Sequence, residues 1–184
     1  MKKLMYALLT LIVFITNVGL AEERKEVAVC EEKLVKYTIK FDIIENDNVF
    51  FSHTYSEHIG KSDVWLKSKM YYRNMNFAST YFNKEIANDT IRKALRDNKG
   101  KICMWLDSLN KMSKSDNRRK KALLLVTTDV NKEIGFGIQN DGKKINLKRA
   151  NIVLKATSHE DVGIGLYVFT SYPAKSRKYE KKQR

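Results

Sequence analysis

The chain of 184 residues has one proline, two cysteines and three histidines. A lone proline, Pro173, excludes a Pro-rich hinge. Two cysteines, Cys30 and Cys103, exclude a disulfide-dense scaffold; in an oxidising compartment an even pair reads as one bond. That bond closes a loop of about 74 residues and stabilises by roughly 4 kcal/mol in the chain-entropy description. No His-bearing motif accompanies either cysteine, so the alternative of a catalytic thiol has no base beside it. There is no phosphate-binding glycine loop, no dinucleotide fingerprint and no nucleophile elbow around Ser52. Internal repeats, heptads and low-complexity linkers are missing too. No apolar run after the first 21 residues is long enough to span a membrane.

Acidic residues are also scarce. Lys and Arg number 35 against 21 Asp and Glu, a net charge of +14. The excess is uneven, since Leu106–Arg184 carries 18 basic and 8 acidic residues. Such asymmetry points to an anionic partner or surface, or to a charge that simply keeps the protein soluble.

What is present begins with a leader. Lys2 and Lys3 precede an uncharged apolar run, Leu4–Thr16, and a small-residue end with Gly19 and Ala21 at the cleavage positions. The run is shorter than the ~20 residues a spanning helix needs, so residues 1–21 read as a cleavable signal peptide. An uncleaved inner-membrane anchor is the alternative. Residues 22–174 then form a single domain large enough for its own core, and residues 175–184 a basic flexible tail. The leader places the chain in the periplasm or outside the cell.

Alternation is plainest in Leu34–Ile44, where Val35, Tyr37, Ile39, Phe41 and Ile43 fall on one face. It predicts a strand, paired through the turn cluster Glu45–Asn48 with a second strand over Val49–Tyr55. Asp63 reads as a cap for a long helix over Val64–Phe82, although Asn74, Asn76 and Asn83 weaken it. A short helix follows over Thr90–Asp97, then a strand through Ile102, Met104 and Leu106, with a helical turn as the alternative there. Lys121–Pro173 holds the main strand signal: Ala122–Val126, Ile134–Gln139, the turn Asn140-Asp141-Gly142, Ile145–Leu147, Ile152–Ala156 and Val162–Val168. The expectation is an α+β fold, a twisted and mainly antiparallel sheet with one long and one short helix on one face.

Few constellations suggest chemistry. His53, Glu57 and His58 invite a metal test, but histidines five apart point to opposite strand faces, or about 140° apart on a helix. No metal site, cofactor or catalytic set is therefore expected. His159-Glu160-Asp161 reads as a polar turn. Gly135, Gly137, Gly163 and Gly165 on alternate positions suggest a close-packed sheet face. Tyr71, Tyr72, Phe77, Tyr81 and Phe82 read as a core helix with hydroxyls at its rim. The leading feature is basic: Arg118, Arg119, Lys120, Lys121, Lys143, Lys144, Lys148, Arg149 and Lys155 on one end or face.

These observations lead to an exported, non-enzymatic binding protein whose basic face holds an acidic protein or an anionic envelope component, with nucleic acid the lesser expectation for an exported chain. An envelope or secretion accessory factor and a toxin-neutralising protein both fit. The alternative is an exported hydrolase of an anionic polymer, with His53 or His159 as base beside Glu57 or Asp161.

Overall fold

The computed structural model describes residues 25–112, 121–157 and 164–176. The leader, the Arg118–Lys120 cluster, His159-Glu160-Asp161, Gly163 and nearly all of the basic tail lie outside the described residues. The fold is α+β and antiparallel, as expected. Its strands form two three-stranded sheets. The first is ordered β1 (Phe77–Tyr81), β3 (Gly135–Gln139), β4 (Lys144–Leu147); the second is β2 (Leu123–Asp129), β5 (Arg149–Ala156), β6 (Leu166–Ala174). The chain passes from one to the other at Lys148, whose carbonyl accepts from Val130 N at 2.7 Å. Ser79 Oγ donates to Pro173 O at 2.6 Å and so ties β1 to β6 across the two sheets.

Close strand approach explains two of the alternating glycines. A Cβ on Gly135 would stand 2.0 Å from Thr80 O, and one on Gly137 would stand 2.3 Å from the Phe77 ring. Asn140-Asp141-Gly142 forms the expected β3–β4 turn, with Gly142 at φ 81°.

The first half departs most from the sequence reading. A helix occupies residues 25–40 (α1), where a strand was expected. Leu34, Thr38 and Phe41 are buried, at helical spacing, while Val35 and Ile39 of the alternating set are exposed. Thr38 Oγ1 donates to Leu34 O one turn back, at 2.7 Å. The period of 3.6 therefore outweighs the period of 2, because the residues that reach the core are three and four apart. The expected turn Glu45–Asn48 lies inside α2 (Ile43–Phe50), which Asp42 caps by accepting from Ile44 N and Glu45 N. A short helix, α3 (Thr54–His58), follows in place of the second strand.

The long helix divides. α4 (Asp63–Tyr72) is capped by Ser62, Asn74 takes a left-handed φ of 49°, and β1 begins at Phe77. Asparagine tolerates that conformation better than most residues, so the residues that weakened the helix are those that end it. Asn83 then caps α5 (Lys84–Asp97), longer than expected, and α6 (Lys99–Asn110) replaces the strand at Ile102–Leu106. Ile102, Cys103, Leu106 and Leu109 are its buried residues, again at helical spacing.

One apolar core joins α1, α5 and α6 to the inner face of the second sheet, where Val126, Ile152, Leu154 and Val168 are buried. A smaller core, Leu66, Met70, Ala78 and Ile138, seats α4 on the first sheet. Cys30 and Cys103 are joined as expected, bonding α1 to α6; Lys99 pairs with Glu31 beside the bond, at 2.8 Å.

Candidate active site

β6 ends the second sheet, so its outer edge has no strand partner among the described residues. The helices α2 and α3 fill that edge with side chains. Asn46 Oδ1 accepts from Val168 N at 3.1 Å and Asn46 Nδ2 donates to Val168 O at 2.8 Å. Thr54 Oγ1 accepts from Ser171 N at 3.0 Å. These bonds replace a missing strand and press α3, flanked by two histidines, against β6.

His53 occupies the N-cap position of α3 and His58 is its last residue. A bulge in the β5–β6 ladder, where Val153 faces Thr170 and Leu154 faces Val168, leaves Phe169 unpaired. The His53 ring meets Phe169 edge-on at 5.7 Å, and the His58 ring lies 5.5 Å from that of Tyr172. Both imidazoles are thus held to one strand edge, 6.1 Å apart. The five-residue spacing kept them apart only while the helix was taken as free; docked on β6, both side chains turn to the same strand.

Glu57 lies between them in sequence and reaches α4. Its carboxylate is 2.8 Å from Lys69 Nζ and 2.7 Å from Arg73 Nη2. The Lys69 side chain is only 7% exposed, so its ammonium, 5.1 Å over the Trp65 ring, is held largely out of water. Burial alone would raise the Glu57 carboxyl; the hydrogen bonds and charges of Lys69 and Arg73 outweigh it and hold it below the ordinary range. His58 moves the other way. Burial first, then the Lys69 ammonium, pull its pKa from 6.5 down to about 3, against the opposing pulls of the Ser79 carbonyl and Glu57. Ser79 O lies 3.5 Å from His58 Nδ1. A carbonyl can only accept, so this contact favours the proton on Nδ1 and leaves Nε2 with a free lone pair.

The strand supplies hydroxyls. Asn151 Nδ2 lies 3.5 Å from Tyr172 Oη. Thr170 Oγ1 is buried and has no hydrogen-bond partner. It stands two residues from Tyr172, and the register pairs it with Val153 as it pairs Tyr172 with Asn151, so both face the same side of the sheet. The cluster therefore offers a neutral imidazole, a second imidazole, a buried ammonium and two hydroxyls. That set suits a phosphate ester: a base, an acid, and donors for the charge that grows on phosphorus oxygens.

A metal is the competing use. Ligand atoms of His53, Glu57 and His58 all lie within 4.8 Å of one another, so the residues dismissed by their spacing do converge. The Glu57 carboxylate, however, already faces Lys69 and Arg73, and a divalent ion would have to displace or sit beside two cations. The donor set fits a phosphate better than a metal.

Comparison with known proteins agrees with that chemistry. The family model described as the bacterial CdiA-CT RNAse A domain matches residues 52–173, about two thirds of the chain. The chain belongs to this family. The match begins just before His53 and ends just after Tyr172, so it encloses the whole cluster. A solved chain of the CdiA-CT/CdiI complex from Y. kristensenii 33638 shares the fold, with TM-score 0.52 and 21% identity over 64% of this chain and 95% of that one. No curated protein matches.

Membership in the CdiA-CT RNAse A domain family overturns the expectation of a non-enzymatic periplasmic protein-binding factor: a ribonuclease family implies an enzyme. The expected basic group also scatters. Lys144 sits on the α4 side of the first sheet, 2.9 Å from Asp63 and 3.7 Å over the Phe136 ring. Lys143 lies in the β3–β4 turn, Lys148 at the crossing between sheets, and Lys121 just before β2. Among the described members of that group, only Arg149 and Lys155 share the sheet face of Tyr172 and Thr170. Sequence reasoning named His53, Glu57 and His58 but missed Lys69, Thr170 and Tyr172. For Lys69 a signal existed: it stands on the buried side of α4 between Leu66 and Met70, which a solvated lysine has no reason to occupy.

Proposed function

We propose that this CdiA-CT RNAse A domain is a ribonuclease that cleaves single-stranded RNA by attack of a ribose 2′-hydroxyl on the adjacent phosphodiester. The observation that carries the reading is His58, half-buried, held neutral beside the Lys69 ammonium and aimed by Ser79 O so that Nε2 can take a proton. His58 Nε2 accepts the 2′-OH proton as O2′ bonds to phosphorus. The bond from phosphorus to O5′ breaks, and O5′ takes a proton from His53. The products are a 2′,3′-cyclic phosphate and a free 5′-hydroxyl. Lys69, with Tyr172 and Thr170 as hydroxyl donors, stabilises the added negative charge on the non-bridging oxygens. Glu57 holds Lys69 in place and keeps its charge from being wholly uncompensated before RNA arrives.

The test is cleavage of a fluorescent RNA oligonucleotide, beside one carrying a single 2′-deoxy residue. His58→Asn keeps a donor for Ser79 O and loses the base, and kcat is expected to fall about 10²- to 10⁴-fold. Cutting at the 2′-deoxy position, or a fully active His58→Asn, would refute the mechanism.

A protein partner is part of the same reading. The similar solved chain comes from a complex with CdiI, and this chain carries a net charge of +14. We infer a CdiI-like partner with an acidic surface, because complementary charge speeds encounter and fixes register. Binding that is insensitive to salt would argue against it.

A further inference from the structure

The face of the second sheet opposite its core runs to either side of the catalytic cluster and carries two cations in register with it. β5 turns Arg149, Asn151, Val153 and Lys155 to this face, because their neighbours Ala150, Ile152 and Leu154 are buried in the core. Asn151 pairs with Tyr172 and Val153 with Thr170, so the middle two rows hold the hydroxyls of the cluster. Arg149 stands one row beyond Tyr172, opposite Ala174; Lys155 stands one row beyond Thr170, opposite Tyr167. The two cations bracket the site.

Each is placed for an anion from outside. Arg149 is nine-tenths buried, at 9% exposure. Its cross-strand neighbour is Asp129, yet it makes no ion pair with any carboxylate among the described residues. Its guanidinium has no carboxylate partner among these residues, and a bound phosphate would supply the missing counter-charge. Lys155 Nζ lies 5.5 Å over the Phe169 ring, the ring that His53 meets on its edge. Its ammonium is therefore one ring away from the proposed acid. Between them Leu125, 49% exposed, pairs with Val153 and offers an apolar strip on which a nucleobase can lie. From Arg149 to Lys155 the strand covers about 20 Å, a few nucleotides rather than one.

We propose that this face is a track for single-stranded RNA, with Arg149 and Lys155 binding backbone phosphates on either side of the scissile one. The proposal rests on the ribonuclease reading for the position of that scissile phosphate. It gives the enzyme a preference for strands over dinucleotides, through contacts that carry no base information.

The experiment uses the full chain and an uncleavable 2′-O-methyl RNA strand, with binding followed by fluorescence anisotropy from low to moderate salt. Each phosphate contact contributes about 0.7 to the slope of log affinity against log salt for a single strand. Arg149→Gln and Lys155→Gln should each lower the slope by about 0.7, and the double variant by about 1.4. Lys36→Gln, on α1 and paired with Glu32, should leave it unchanged. Cleavage of a long RNA should fall in the double variant, while cleavage of a dinucleotide should not. If Arg149→Gln loses its folded circular dichroism signal, Lys155→Gln decides alone. A wild-type slope in Lys155→Gln overturns the track. A wild-type protein that binds the strand with the stated slopes but cleaves no RNA overturns the catalytic reading instead.

Discussion

Holding His58 in neutral form should make the domain acid-sensitive in a window where few other groups titrate. Its folded pKa is about 3, against 6.5 for the free side chain. Between those values the unfolded chain binds a proton that the folded one refuses. The stability due to this group is therefore complete above pH 6.5 and falls as pH falls toward 3. Per pH unit the loss approaches 1.36 kcal/mol, so from pH 7 to pH 5 it amounts to about 2 kcal/mol. That interval stays above the range where Glu57, Asp42 and Asp97, all held low by their partners, take up protons. For a domain of this size the loss corresponds to about 4–8 °C in Tm. Thermal unfolding followed by circular dichroism at pH 7 and pH 5 measures it. His58→Asn removes the titrating ring and should lower stability at both pH values, yet lose less between them than the parent by about 2 kcal/mol. The slope, not the intercept, carries the test. Equal losses in parent and variant would show that His58 is not held neutral, and the assignment of its free Nε2 as the base would fall with it.

Three further outcomes follow from the same geometry. Lys69→Gln should lower kcat by about 10²- to 10³-fold, the usual cost of one donor to a developing oxyanion, and raise the His58 pKa by removing a buried cation; an NMR titration of the imidazole reads the second effect. Thr170→Val should lower kcat yet leave the urea midpoint unchanged or higher, because the hydroxyl it removes has no partner in the folded protein. The double variant Cys30→Ser with Cys103→Ser should lose about 4 kcal/mol in chemical unfolding yet cleave RNA normally where folded, since neither α1 nor α6 gives a residue to the site.

How much of this could be read from the residues depended on which period a stretch obeyed. Most of Lys121–Pro173 was legible because its strands are half-buried and its turn is Asn-Asp-Gly; the last strand was displaced, expected over Val162–Val168 and found as Leu166–Ala174. Residues 34–55 misled because both periods fit them. Leu34, Thr38 and Phe41 make a helical stripe, but two of the three look unremarkable beside the alternating Val35, Tyr37, Ile39 and Phe41. A polar residue, Thr38, completes the buried face by bonding to its own helix, and composition gives no hint of that. The site was half legible. His53, Glu57 and His58 drew notice as reactive types close in sequence. Their convergence is made by Asn46 and Thr54 bonding to the open edge of β6, more than a hundred residues away, and no spacing rule contains it. Lys69, Thr170 and Tyr172 belong to two other elements and become a site only through the same docking.

The distribution of satisfied and unsatisfied polar groups argues for the site independently of any comparison. Elsewhere among the described residues five buried polar side chains have a clear partner: Thr38 with Leu34 O, Asn46 with Val168, Ser79 with Pro173 O, Asn88 with Ile43 N, Ser171 with Tyr81 Oη. Around β6 and the adjoining β5 the pattern breaks. Thr170 Oγ1 is buried without a partner, Arg149 without a carboxylate, Lys69 and Glu57 are drawn out of water together, and His58 is kept from its proton. Each of these costs folding energy, and a chain selected for stability alone would have replaced them with apolar residues. One ligand type relieves most of the costs at once: an anion with several oxygens accepts from Thr170, Tyr172 and Lys69 and supplies the charge that Arg149 lacks. A phosphodiester strand does so repeatedly along the sheet. The negative charge it brings also raises the His58 pKa from its depressed value toward the working range of a base. Substrate would then tune the catalyst that cuts it.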